Sequence, residues 1–151
     1  MNKSFSVALK YSIYVTAALI AYFLIVKLVD LHENPWLRIF NGVIMASGIY
    51  YAIKYFKLKL GDNFTYVDGF KTGLLTGFLA TIMFTAFMTI YMFHLDTAFT
   101  EKILEDWFEN YDNGRGVLVA VLIIEGFASA VVLTLTFMQL FKKSHNIPQN
   151  T

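Results

Sequence analysis

Residues Thr65 to Phe93 read TYVDGFKTGLLTGFLATIMFTAFMTIYMF, and this stretch decides the fold. From Thr72 to Phe93 it carries no charge, a run long enough to cross a hydrocarbon core as a helix. Gly69, Gly73 and Gly77 recur every fourth residue, and Thr81 continues the row. That spacing stacks positions on one helix face, which makes a groove nearly free of side chains. In lipid, water no longer drives apolar surfaces together, and small residues let helix backbones approach closely. Glycine is also simply more frequent in membrane helices, but the strict spacing favours a packing seam. Its partner is either another span of this chain or a second copy.

The composition around this stretch agrees. Of 151 residues, 57% are hydrophobic and only 15% charged, against about 25% charged in ordinary soluble domains. Net charge is +1, so nothing points to nucleic acid. There is no cysteine, which excludes disulfides, thiolate metal sites and cysteine nucleophiles.

Working outward, the pattern predicts an all-α membrane protein with four transmembrane helices in an antiparallel bundle, forming a single membrane domain over 1–151. The spans fall at about 11–29, 36–56, 70–93 and 117–141, after a short basic-polar lead over residues 1–10. The first run is too long for a signal peptide's apolar core and ends in LVDLHENPW instead of a small-residue cleavage site. Ser12, Thr16, Ala17 and Ala21 are its small positions, and Gly42, Ala46, Ser47 and Gly48 those of the second span. Pro35 suits a first helical turn. Thr65 and Asp68 have the spacing of a capping box at the start of the third span. About residues 97–111, apolar Phe99, Ile103, Leu104, Trp107, Phe108 and Tyr111 oppose Glu101, Lys102, Glu105, Asp106 and Glu109. This reads as a short amphipathic helix lying in the interface. The tail over 144–151 is polar and expected to be loose.

Basic residues near span ends set orientation. Lys3, Lys10, Lys54, Lys57, Lys59, Lys71, Lys142 and Lys143 fall on one side; Lys27, Arg38, Lys102 and Arg115 fall on the other. The excess places both termini in the cytoplasm.

The segment FTYVDGFKTGLLTGFLATIMFTAFMTIYMFHLDTAFTEKIL resembles the core of a family of small four-span bacterial membrane proteins catalogued as a domain of unknown function. The motif that carries the likeness runs from Phe64 to Leu75, as F-x-x-x-x-G-F-K-x-G-L-L. The resemblance implies the four-span layout, a bacterial origin and the inner membrane. It brings no catalytic residues and no cofactor. The acidic linker here is shorter than is usual among those proteins.

Glu125 is the one acid inside a span. At about 1.5 Å per residue from Val117 it sits roughly 12 Å below the outer boundary. A charge there is costly, about 2.5–3.5 kcal/mol on insertion scales, so it should face a neighbour or a wet pocket, shielded from lipid. Gly126, Ala130 and Thr134 begin one position later and mark the close-packed edge of the same helix. Asn41 and Thr85 are the expected hydrogen-bond partners at that depth, with Tyr22 and Lys27 within range. The functional reading is a proton, cation or ligand site; the structural one is an interhelix clasp. His32 and His94 at the outer rim are weak metal candidates, since no ligand-spaced motif joins them. His145 lies in the tail.

These features favour a structural or interaction bundle that assembles with itself or with a larger membrane complex, in contact with the bilayer and with no cofactor. The alternative is ion, proton or small-molecule transport, or ligand binding, centred on Glu125. An enzyme would need several convergent ionisable groups, and the chain does not supply them.

Overall fold

The computed structural model describes residues 3–29, 35–95, 101 and 114–141. Among them are four long α-helices: α1 (Lys3–Leu28), α2 (Arg38–Leu60), α3 (Tyr66–Ile90) and α4 (Gly114–Phe141). A 3-10 turn, Pro35–Leu37, leads into α2, and a second, Gly61–Asn63, joins α2 to α3. The expected interfacial helix and the tail lie outside the described residues, apart from Glu101, which is helical and exposed. Three helical segments are long and apolar enough to cross a membrane: Lys3–Leu28, Tyr66–Leu95 and Gly116–Phe141.

α3 is the central element and packs on α1, α2 and α4. Its start is fixed by the capping box. The Asp68 amide donates to Thr65 Oγ1 at 3.2 Å, and the Thr65 amide donates to Asp68 Oδ2 at 3.2 Å. Two amide groups that the helix itself cannot satisfy are met in this way. The α2–α3 turn closes on Gly61, whose φ of +55° suits a residue without a Cβ. At its far end α3 runs into a π-helical turn, Tyr91–Leu95.

The glycine row of α3 lies against α4 of the same chain. A Cβ on Gly69 would come within 2.7 Å of Met138 Sδ, and one on Gly73 within 2.8 Å of Thr134 Cγ2. A Cβ on Gly77 would overlap the Cβ of Ala130, and one on Gly126 would overlap Thr81 Cγ2. Two four-spaced rows, Gly69–Gly73–Gly77–Thr81 and Met138–Thr134–Ala130–Gly126, therefore interlock in antiparallel. Phe78 and Phe127 stack beside this seam, with centroids 4.4 Å apart.

A second row on α3 faces α1. Thr72, Thr76 and Ala80 are fully buried, as are Ser12 and Ala8 on α1. Ser4 and Thr72 share a hydrogen bond of 2.9 Å across the two helices. Thr72 already donates to the Asp68 carbonyl at 2.8 Å, so Ser4 is the donor. Most of the hydroxyls on these faces close back onto their own helix, such as Thr76 onto Thr72 and Thr81 onto Gly77. Polar atoms are met without water in this way.

Three expectations change here. α1 starts at Lys3, so residues 3–10 are helical and not a lead; Ser4, Val7 and Ala8 are buried and draw the helix out. The small face of α1 continues from Ser12 and Thr16 back to Ala8 and Ser4, while Ala17 and Ala21 are exposed. On α2 the close approach is at Gly48, where a Cβ would overlap Val15. Gly42 has nothing within 4 Å of its Cβ position, and Ser47 is exposed with its hydroxyl on the Val43 carbonyl.

Candidate binding cleft

α2 and α4 pack together at one end. There Tyr50 lies against Phe137 and Phe141, each with centroids 5.5 Å away, and Lys57 Nζ donates to the Phe141 carbonyl at 3.4 Å. Toward the other end the two helices leave a space of about 570 Å³, floored by α3 and backed by Leu19 of α1. Gly42, with no neighbour at its Cβ position, stands on its α2 wall.

Glu125, Asn41 and Thr85 all line this space. They arrive from three helices: Asn41 one turn into α2, Thr85 late in α3, Glu125 in the first half of α4. Glu125 is exposed and lines this cleft. α4 touches α3 along its small row, and Glu125 sits one position off that row, on the open side. Asn41 is half-buried, and its Oδ1 has no hydrogen-bond partner among the described residues. Thr85 is buried. Thr81, a member of the seam, also borders the cleft; its hydroxyl donates to the Gly77 carbonyl and keeps its lone pairs for an incoming donor.

Sequence reasoning missed Ser129 and the apolar wall of Met45, Phe84 and Leu122. Ser129 was findable, because it lies one helical turn from Glu125 on the same face. No periodic signal marks the apolar wall, which looks like any core position.

The other polar candidates lie elsewhere. The Tyr22 hydroxyl donates to the Leu37 carbonyl at 2.9 Å, tying α1 to the start of α2. Lys27 reaches Tyr91, donating to its hydroxyl with the ammonium 4.6 Å from the ring centroid. Tyr91 is buried and sits edge-on to Phe23 at 5.0 Å. His94 is exposed in the π-helical turn, whereas His32 lies outside the described residues. Among the described residues no group of three metal-ligating side chains comes together.

Among the described residues the structure is helical, and three helices are apolar and long enough to cross a bilayer, the make-up of a membrane protein. Large apolar side chains such as Ile25, Val43, Ile82, Ile124 and Val132 are exposed on its outer surface. A family model described as "Protein of unknown function (DUF4199)" matches residues 10–143, and the chain belongs to that family. No curated protein and no solved structure matches it.

Proposed function

We propose that the protein is a four-span antiparallel bundle of a bacterial inner membrane, with both termini in the cytoplasm. It works by binding inside the membrane and not by catalysis, and the cleft between α2 and α4 is where it binds. The observation that carries this reading is the open space of about 570 Å³ bordered by three spans. Ligand pockets have volumes of about 300–1,000 Å³ and combine apolar walls with a few polar groups, as this one does. Glu125 is the one ionisable side chain on its described lining, too few for acid–base chemistry. Assembly with a second copy or a membrane complex is the companion reading. It is supported by the outward apolar face of α4, where Ile124 is 68% and Val132 62% exposed.

A neutral, lipid-soluble phenyl-diazirine tests the cleft. Photolysis in membranes should label Phe84 and Leu122 inside it and spare the sealed Ile53 and Met138. Gly42→Trp, which fills the open space, should lower labelling of Phe84 and Leu122 several-fold. Labelling of Phe84 and Leu122 no stronger than that of Ile53, or indifferent to Gly42→Trp, would exclude an open cleft.

A further inference from the structure

We infer that the α2–α4 cleft takes a small lipophilic amine, with its apolar body against Leu19, Met45, Phe84 and Leu122 and its N–H donors toward Glu125 and Asn41. This rests on the cleft being an open binding site.

Size sets the first limit. A transmembrane helix about 30 Å long and 10 Å wide fills on the order of 2,000 Å³. The cleft holds about 570 Å³, so its occupant is a small molecule and not a partner helix. The lining sets the second. Its wall is mostly apolar, which suits a ligand that partitions into the bilayer and enters sideways.

The polar groups set the third limit, because the unmet atom and the one ionisable group among them are acceptors. Asn41 Oδ1 has no partner among the described residues, and a buried acceptor left unmet is costly. Thr81 has spent its proton on the Gly77 carbonyl. The Glu125 carboxyl offers about four lone-pair positions, so one existing contact still leaves room for a donor. The described lining holds no basic side chain. An anion would meet the Glu125 carboxyl with no basic side chain on the described lining to offset it. An amine supplies several N–H donors from one atom; it bonds Glu125 as N–H···O when the amine holds the shared proton and as O–H···N when the carboxyl holds it. The apolar body meanwhile offsets the cost of bringing a polar head to this depth.

The test uses the full chain in lipid nanodiscs with three probes: dodecylamine, dodecanol and dodecanoic acid, each carrying a diazirine in the alkyl chain. Labelled residues are mapped by mass spectrometry. Dodecylamine should label the cleft walls at least tenfold more than either analogue. Glu125→Gln should remove that preference and leave dodecanol labelling unchanged. Asn41→Leu should weaken amine labelling several-fold, and it gives the same reading if the Glu125 variant does not fold. Equal labelling by all three probes, preference for the acid, or amine labelling indifferent to both variants overturns the inference. So does an absence of cleft labelling by all three. In each of these cases labelling of Phe84 by the neutral phenyl-diazirine keeps the cleft itself standing. Loss of that labelling too would remove the cleft.

Discussion

At the scale of single residues, the hydroxyl groups of the core divide into two kinds. Thr72 is fully buried, donates to the Asp68 carbonyl and accepts from Ser4. Thr134 is equally buried, but its Oγ1 has no partner among the described residues. Valine has nearly the shape of threonine, so the same substitution separates the two. Thr134→Val removes an unmet polar group and should stabilise the fold by about 1 kcal/mol. Thr72→Val strands the Ser4 hydroxyl and should cost about 0.5–1.5 kcal/mol. Thermal unfolding in nanodiscs reads both. Shifts of the same sign would mean that these hydroxyls are not satisfied as described. The residue scale was also where sequence was least informative. Thr72 and Thr134 look alike in a string of letters, and whether a hydroxyl is met depends on a neighbour 68 positions away.

At the scale of elements, the seam between α3 and α4 was legible on both strands of the contact, because four-residue spacing is a property of one helix alone. Which two rows meet is not such a property, and neither is the register at Gly48 against Val15, where one glycine without periodic support makes the approach. The start of α1 was hidden for a related reason: Lys3 and Lys10 bracket Ser4, Val7 and Ala8, and charge at the edge masks a buried face. The seam also makes a graded prediction. A Cβ on Gly77 would meet Ala130 Cβ and its backbone Cα at 3.2 Å, whereas one on Gly73 meets the side-chain ends of Thr134 and Ile53. Backbone cannot yield without moving a helix; a methyl at a side-chain end can. Alanine gains about 0.8–1 kcal/mol over glycine in helix propensity, against about 1–3 kcal/mol for overpacking. Gly73→Ala should therefore be near neutral in thermal unfolding, and Gly77→Ala should lower the midpoint. Equal effects would mean that the helices part freely along the whole seam.

At the scale of the molecule, α2 decides how many times the chain crosses. It is the one long described helix outside the group apolar enough to cross, because Lys54, Lys57 and Lys59 crowd its end. Its uncharged stretch from Ile39 to Ile53 covers roughly 22 Å, short of a core about 30 Å thick. Two observations support the proposal that it crosses alongside its neighbours. It is packed lengthwise on α1, with Tyr55 against Tyr11 at one end and Phe40 against Tyr22 at the other. Its lysines also lie among aromatic rings: Lys54 is 5.7 Å from the Tyr50 centroid, and Lys57 is 5.4 Å from that of Phe141. Lys10 joins that end of the bundle, 5.9 Å from the Tyr55 ring. Long cationic side chains at such a site keep their heads at the interface while their stems stay in the apolar layer. In the proposed orientation this cluster of lysines lies at the cytoplasmic end. Reporter fusions at residue 62 and after the last residue should therefore both report cytoplasm, and a fusion at residue 113 should report the opposite side. If 62 and 113 report the same side, α3 does not cross and the span assignment is wrong; a tag before Lys3 that reports the side opposite to residue 62 would mean that α2 does not cross, because α1 alone would then separate them.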